Sequence, residues 1–232
     1  TQADASGTIT GNFTAAEYAL SVIYSRTIDS LFNIGVNLKP VLSHLERYTS
    51  AGFAIDIGAE WHNTSGLFSA GLVIRNLGYQ LTRYAGEPRE NLPFEIQAGI
   101  TQALAHAPFR FSLTLRHLEK YDLTYTYTDP SGTITTSSGS SGFSENLLRH
   151  AVLGIELTPG KNFYLGAGYN YQRRRELSID SKTSTVGLSW GFGVNTSIMD
   201  IEFGRATYHL AGSSTHVSVI LRLNNIYKKT RV

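Results

Sequence analysis

Hydrophobic residues recur at every second position along most of the chain. Tyr18, Leu20, Val22 and Tyr24 form one such face, and Phe32, Ile34, Val36 and Leu38 the next. Phe53, Ile55, Ile57, Ala59 and Trp61 follow, then Phe68, Ala70, Leu72 and Ile74, then Phe94, Ile96, Ala98 and Ile100. The series continues with Phe109, Phe111, Leu113 and Leu115, with Leu153, Ile155 and Leu157, and with Phe163, Leu165, Ala167, Tyr169 and Tyr171. Val186, Leu188, Trp190 and Phe192, a weaker Met199, Ile201 and Phe203, and finally Val217, Val219, Leu221 and Leu223 complete it. A period of two sends alternate side chains to opposite faces of an extended strand. The pattern predicts an all-β chain of about eleven strands.

The intervening positions carry Gly, Ser, Thr and opposite charges. Asp56, Glu60, Arg75, Glu95, Arg110, Arg116, Glu156, Asp200, Glu202 and Arg222 all fall on this second face. A soluble sandwich or a lipocalin-like barrel alternates in the same way, so the period alone does not decide. Three features favour an antiparallel transmembrane barrel. Many segments reach roughly nine to eleven residues, the length a tilted membrane strand needs. Aromatic residues (Tyr18, Tyr24, Phe32, Trp61, Phe94, Phe109, Phe163, Tyr171) end the apolar faces, as interfacial girdles do. The mixture of small and oppositely charged residues suits a crowded lumen. The ten charges are expected to form a lumen ladder of ion pairs, because unpaired charge in such a place is costly. A selective pore or ligand-guiding wall is the sharper alternative for the same residues.

Connections alternate short and long. The short ones lie near residues 27–31, 62–66, 105–108, 158–162 and 195–197, and the long ones at 40–50, 78–92, 119–149, 173–182 and 207–214. Outer-membrane barrels put short turns in the periplasm and long loops outside. Residues 1–224 are therefore read as the barrel and 225–232, with Lys228, Lys229 and Arg231, as a periplasmic tail. Even strand numbers are usual, so an odd number of strands is expected upstream of the polar 1–12 segment.

Composition changes this picture little. The chain has 232 residues, no cysteine, 16% charged residues and a net charge of +2. Without cysteine there are no disulfides, thiolate zinc sites or thiol catalysis. So small a net charge gives no field to draw nucleic acid. The mean hydropathy of −0.12 averages out the alternation. No run approaches the 18 or so apolar residues of a membrane helix, and Thr1 opens no secretory signal.

Candidate chemistry is sparse. Seven histidines include His44, His62, His106 and His117, but none is spaced for a metal beside a carboxylate. No G-x-S-x-G marks a hydrolase nucleophile, and Gly166 and Gly168 lack the third glycine and helix of a nucleotide loop. No catalytic residue, metal or cofactor is expected. Gly187, Gly191 and Gly193 are read as inward positions where other groups approach the wall. The 119–149 connection contains TITTSSGSSG at residues 133–142 and a short helix start at 144–148, with Ser144 as its N-cap. Aromatic and basic residues of the long connections are the candidate partner-binding set: Tyr48, Tyr84, Arg89, Tyr121, Tyr125, Tyr127, Leu147, Arg173, Arg174 and Arg175. The three arginines also sit where a strand leaves the outer leaflet, within reach of lipopolysaccharide phosphates.

Two segments carry a resemblance. Residues 18–63 (YALSVIYSRTIDSLFNIGVNLKPVLSHLERYTSAGFAIDIGAEWHN) resemble the PorQ family of the type IX secretion system of Bacteroidota. Residues 92–125 (LPFEIQAGITQALAHAPFRFSLTLRHLEKYDLTY) strengthen the match, while 129–143 contribute little. That family and its PorV relatives are similar to the FadL-like fold, a fourteen-stranded barrel. The resemblance implies about three strands upstream of this chain. It implies a non-enzymatic outer-membrane protein that anchors a surface partner, PorZ-like, in a complex with PorU and PorV. A FadL-like transporter of a hydrophobic small molecule is the alternative, and it predicts a greasy internal channel.

Overall fold

A computed structural model describes residues 2–3, 6–12, 14–46, 48–82, 89, 91–124, 126–128, 134–136, 142–177, 185–209 and 212–223. The chain is mostly antiparallel β-sheet, and it divides into two compact units. One unit comprises Thr1–Trp61 and Gly71–Gln97, the other His62–Ala70 and Ala98–Val232.

In the first unit β1 (Gln2–Ala3) pairs with β2 (Ile9–Gly11). β3 (Ala15–Ala19) and β4 (Val22–Asp29) both pair with the long β5 (Phe32–Leu45), which pairs in turn with β6 (Tyr48–His62). Most of β7 (Phe68–Thr82) also belongs here. Register aligns Val22, Leu38 and Ile55 in one row and Tyr24, Val36 and Ile57 in another. The predicted apolar faces therefore meet across strands rather than being offset.

The second unit holds most of β8 (Glu95–Ala103), then β9 (Phe109–Leu115), β12 (Ala151–Leu157), β13 (Phe163–Asn170), β14 (Leu188–Asn195), β15 (Met199–His209) and β16 (Gly212–Leu221). These pair antiparallel in that order. Between β9 and β12 lie the short hairpin β10 (Thr126–Thr128) with β11 (Ile134–Thr136) and the helix α1 (Phe143–His150). Helix α2 (Tyr171–Leu177) continues directly from β13. Tight turns join β8 to β9, β12 to β13 and β14 to β15. Both helices sit at the opposite, long-connection end.

Burial is inverted relative to a water-soluble sheet. Along β5 the apolar Phe32, Ile34, Val36, Leu38 and Leu42 are exposed, while Asn33, Asn37, Lys39 and Ser43 are half-buried. Along β13 and β15 the exposed positions are Phe163, Leu165, Met199 and Ile201, against half-buried or buried Tyr164, Asp200 and Glu202. Among the described residues, Ala54 and Val186 are the buried hydrophobic residues. Ser50, Gln80, Glu95, Asn146, Arg149, His150 and Asp200 are the buried polar ones. Soluble proteins bury the first class and expose the second. The described residues contain no helix long and apolar enough to cross a membrane, which says nothing of strands.

Several expectations need correction. Residues 40–50 are not a long loop: β5 runs through Pro40 to Leu45, and β6 begins at Tyr48. Pro40 lacks an N–H, but its carbonyl accepts from Leu20 N–H at 3.1 Å, so the pairing survives. The apolar segment at 18–24 is split between β3 and β4, and the polar 1–12 segment holds β1 and β2. The N-cap of helix α1 is Gly142, without a side-chain cap, two residues before the expected Ser144. The residues at 173–175 lie in α2 instead of a loop. Gly187 precedes β14, in a turn with φ 87°, and is not an inward strand position. The 225–232 tail, and most of the 133–142 stretch, lie outside the described residues.

Candidate functional site

Alternation places the polar face of β5 and β6 on one side of the first unit, and there Asp56 acts as a hub. Its Oδ1 accepts from Lys39 Nζ at 2.6 Å and from the Asn76 backbone N–H at 2.8 Å; its Oδ2 accepts from Asn37 Nδ2 at 3.2 Å. Lys39 Nζ also donates to Asn76 Oδ1 at 2.5 Å. Asn76 adopts φ 56°, a left-handed conformation that asparagine tolerates better than most residues. Glu60 accepts from Asn33 Nδ2 at 3.4 Å. Further along, buried Gln80 donates to Ser50 Oγ at 2.8 Å, and Ser50 Oγ donates to the Thr82 carbonyl at 2.9 Å. Glu95 is buried and Arg75 half-buried.

The corresponding face of the second unit is built differently. Register lines up Ser112, Gly154, Gly168, Ser189 and Ala206 in one row. Glu156, Gly166, Gly191, Gly204 and His216 form the next. These small residues leave a groove of about 330 Å³. Charges collect toward the tight-turn end. Arg110 Nη1 lies 3.3 Å from Glu156 Oε2, and Arg222 Nη2 lies 2.6 Å from Asp200 Oδ2. Tyr164 donates to Glu202 Oε1 at 3.0 Å across the intervening Gly193, the close approach that a side chain there would block. Arg110, Glu156, Lys161, Tyr164 and Asn195 line a polar cavity of about 460 Å³.

At the long-connection end the two helices are tied by charge. The Arg149 side chain is fully buried, 3.2 Å from Glu145 of its own helix and 3.7 Å from Glu176 of α2. Arg175 returns from α2 to Glu145 at 3.0 Å. The Arg175 guanidinium, seconded by Arg149, holds the Glu145 carboxyl below the usual carboxylate range. Buried His150 bridges the Arg116 carbonyl (Nδ1, 2.6 Å) and the Tyr121 carbonyl (Nε2, 3.4 Å), pinning the 116–121 segment to the end of α1. The Asp122 carboxyl is held low chiefly by the Thr124 N–H, which donates to it at 2.8 Å. Between this segment and α2 lies a cleft of about 550 Å³ lined by His117, Lys120, Asp122, Gln172, Glu176 and Leu177. Tyr121 (69% exposed), Phe143 (71%) and Leu147 (50%) stand out from the same end.

Among the ten charges expected in the lumen, the structure pairs Arg110 with Glu156 and Asp200 with Arg222. Asp56, Glu60 and Glu202 instead bond Lys39, Asn33 and Tyr164. Arg116 is half-buried beside the His150 bridge. Of the partner-binding set, Tyr121, Leu147, Arg173, Arg174 and Arg175 come to the helix-bearing end. Tyr48 opens β6 in the first unit, and Arg89 is exposed. Tyr84, Tyr125 and the Tyr127 side chain lie outside the described residues. Sequence reasoning missed Lys39, although the inward series Asn33, Gly35 and Asn37 runs straight to it. It also missed Arg149, signalled by Glu145 one helical turn earlier.

Ser214 Oγ lies 2.7 Å from His216 Nε2, both on β16. Among the described residues no carboxylate bonds the other ring nitrogen, the role that orients a hydrolase base. No group of three or more His, Asp or Glu side chains among the described residues could hold a metal ion. No protein-family model and no curated protein matches the chain.

Proposed function

We propose that the chain forms the wall of an outer-membrane β-barrel of the FadL-like type. Its helix-bearing end faces the cell exterior and holds a protein partner of a type IX secretion and attachment complex, as the resemblance to the PorQ family implies. The inverted burial carries the membrane reading. Rows of exposed Leu, Ile, Val and Phe back onto rows of Asn, Ser, Gly and paired charge. Such a sheet would aggregate in water, whereas in lipid its apolar face is solvated and its polar face is sheltered. The partner reading rests on the end formed by α1, α2 and residues 116–124, where Tyr121, Phe143 and Leu147 project beside a braced set of charges. Exposed aromatic and aliphatic anchors on a rigid base are what a protein interface uses.

The role is non-enzymatic. A FadL-like conduit calls for a greasy inner channel, and the inward rows of both units are polar or small instead. The test is purification of the full protein from its own membranes in mild detergent, with bound proteins and lipids identified by mass spectrometry. A secretion-complex partner at one-to-one stoichiometry is expected, lost in a Tyr121→Ala/Leu147→Ala variant. Partner capture that survives deletion of every surface connection would overturn the anchoring role. A stoichiometric hydrophobic small molecule with no protein would move the function to transport.

A further inference from the structure

Across the second unit the outward rows are almost entirely apolar. Leu165, Phe192, Phe203 and Val217 share one row, and Ile155, Ala167, Trp190 and Arg205 share the next. Among the described residues of β9 and β12 to β16, Arg205 is the one charged side chain on these rows. It is exposed, and no described carboxylate lies within ion-pair distance of it. Its cross-strand neighbours are Trp190 on β14 and Thr215 on β16. Beyond it the outward positions turn polar: Thr207 pairs with Ser213, and Thr207 Oγ1 accepts from Thr185 Oγ1 at 3.2 Å. The apolar belt on this hairpin thus ends between the Phe203–Val217 pair and the Arg205–Thr215 pair.

Depth places Arg205 above the middle of such a belt. A strand rising about 3.3 Å per residue and tilted about 40° climbs roughly 2.5 Å per position along the membrane normal. Arg205 therefore stands roughly 15 Å above Met199 at the tight-turn end, in the upper part of a belt about 25 Å tall. An arginine here extends its apolar stem along the wall and lifts the guanidinium to the headgroup layer. Tryptophan beside it is the usual marker of that layer. The α2 arginines are poorer candidates. Arg173 stacks on the Tyr208 ring at 3.7 Å, and Arg175 is bonded to Glu145.

Building on the membrane reading above, we infer that Arg205, with the hydroxyls of Thr207 and Thr215 and the indole of Trp190, binds the phosphate of an outer-leaflet lipid headgroup. A guanidinium suits phosphate oxygens bidentately, and hydroxyls beside it complete the donor set.

The experiment uses the full chain in phosphatidylcholine nanodiscs doped with diphosphoryl lipid A, or with the same lipid enzymatically dephosphorylated. Retained lipid is read by native mass spectrometry. The phosphorylated lipid is expected to be retained and the dephosphorylated one to wash out. Arg205→Gln should weaken retention about tenfold and Arg205→Lys less. Millimolar inorganic phosphate should compete only weakly, which separates a lipid site from a free-phosphate site. Equal retention of both lipids, unchanged retention in Arg205→Gln, full displacement by free phosphate, or an acidic protein retained on Arg205 in place of lipid each overturns the inference. A second readout needs no change at Arg205. In a Trp61→Phe background, Trp190 fluorescence should be quenched most by lipids brominated near the headgroup, and quenching deepest at the acyl ends would overturn the proposed depth. Absence of any bromolipid quenching would mean instead that the membrane reading itself fails.

Discussion

The polar faces of the two units solve one problem in opposite ways. In the first unit, long polar side chains fill the space: Lys39, Asn37 and Asn76 converge on Asp56. In the second, side chains are stripped back to Gly154, Gly166, Gly168, Gly191 and Gly204, and charges collect at one end beside a cavity of about 460 Å³. A filled network stabilises only while every member is satisfied, whereas a cleared face depends on nothing large being added. The first unit should therefore fail by losing a group, the second by gaining one.

The largest expected effect is in the filled network. Asp56→Ala strands Lys39, whose side chain is 15% exposed, with Asn76 Oδ1 as its remaining acceptor in this cluster. Removing one partner of a buried pair costs about 3 kcal/mol or more. Urea unfolding in lipid vesicles, followed by the heat-modifiable gel shift typical of barrels, measures it. Replacing both partners, Asp56→Leu with Lys39→Met, should restore most of that loss. A double variant as unstable as the single one would mean that the charges themselves stabilise the wall.

The cleared face should fail at Gly193. A Cβ there would overlap the Tyr164 ring, forcing Tyr164 away from Glu202. Gly193→Ala should cost about 1–3 kcal/mol by overpacking. Tyr164→Phe, which removes one hydrogen bond to a carboxylate, should cost about 1.5 kcal/mol. Gly193→Ala combined with Tyr164→Ala should cost less than the sum, because the clash and the bond involve the same ring. Strict additivity in the same unfolding assay would refute that coupling.

The outward rows were legible from the sequence because they need only a period of two. Phe163, Leu165, Ala167 and Tyr169 fall where the alternation puts them. The partners across strands were not legible, because register decides them. Nothing local announces that Tyr164 reaches Glu202 over Gly193, or that Asp56 meets Lys39 rather than an arginine. Pro40 disguised the continuation of β5, since proline ordinarily ends a strand and here its carbonyl is recruited by Leu20. In the α2 run YQRRREL, Tyr171 reads as the end of a strand and residues 173–177 as loop, because seven residues give too little periodicity to distinguish a helix. Arg205 stands at the next outward position after Met199, Ile201 and Phe203, and a lone charge on an apolar row is itself a signal.

The end formed by α1 and α2 gives a smaller, pH-dependent contrast with both faces. Arg175, and then Arg149, hold the folded-state pKa of Glu145 below the ordinary 4.5 of a glutamate. A depressed carboxylate stabilises the fold above its unfolded pKa, and that contribution is lost as pH falls through the folded value. Amide protection over residues 143–150, corrected for intrinsic exchange, should therefore drop below about pH 4.5 while the strands keep theirs. Glu145→Gln should show the loosened state already at neutral pH and lose the pH dependence. A variant that keeps the wild-type acid transition would place its origin elsewhere.

The smallest expected effect tests whether the cleared face is wet. Arg110 and Glu156 lie 3.3 Å apart with side chains 49% and 38% exposed, beside the polar cavity of the second unit. A pair this hydrated gains little Coulomb energy and is screened by salt, so Arg110→Gln should cost no more than about 0.5 kcal/mol. Raising the salt concentration should leave the variant's deficit at or near zero, since it only removes what water already weakens. The Asp56→Ala deficit should persist in the same buffers because its pair is shielded. If Arg110→Gln instead cost as much as Asp56→Ala, the cavity would be dry. The two faces would then be variants of one filled design, and the glycines of the second unit would need a different explanation from the space they leave.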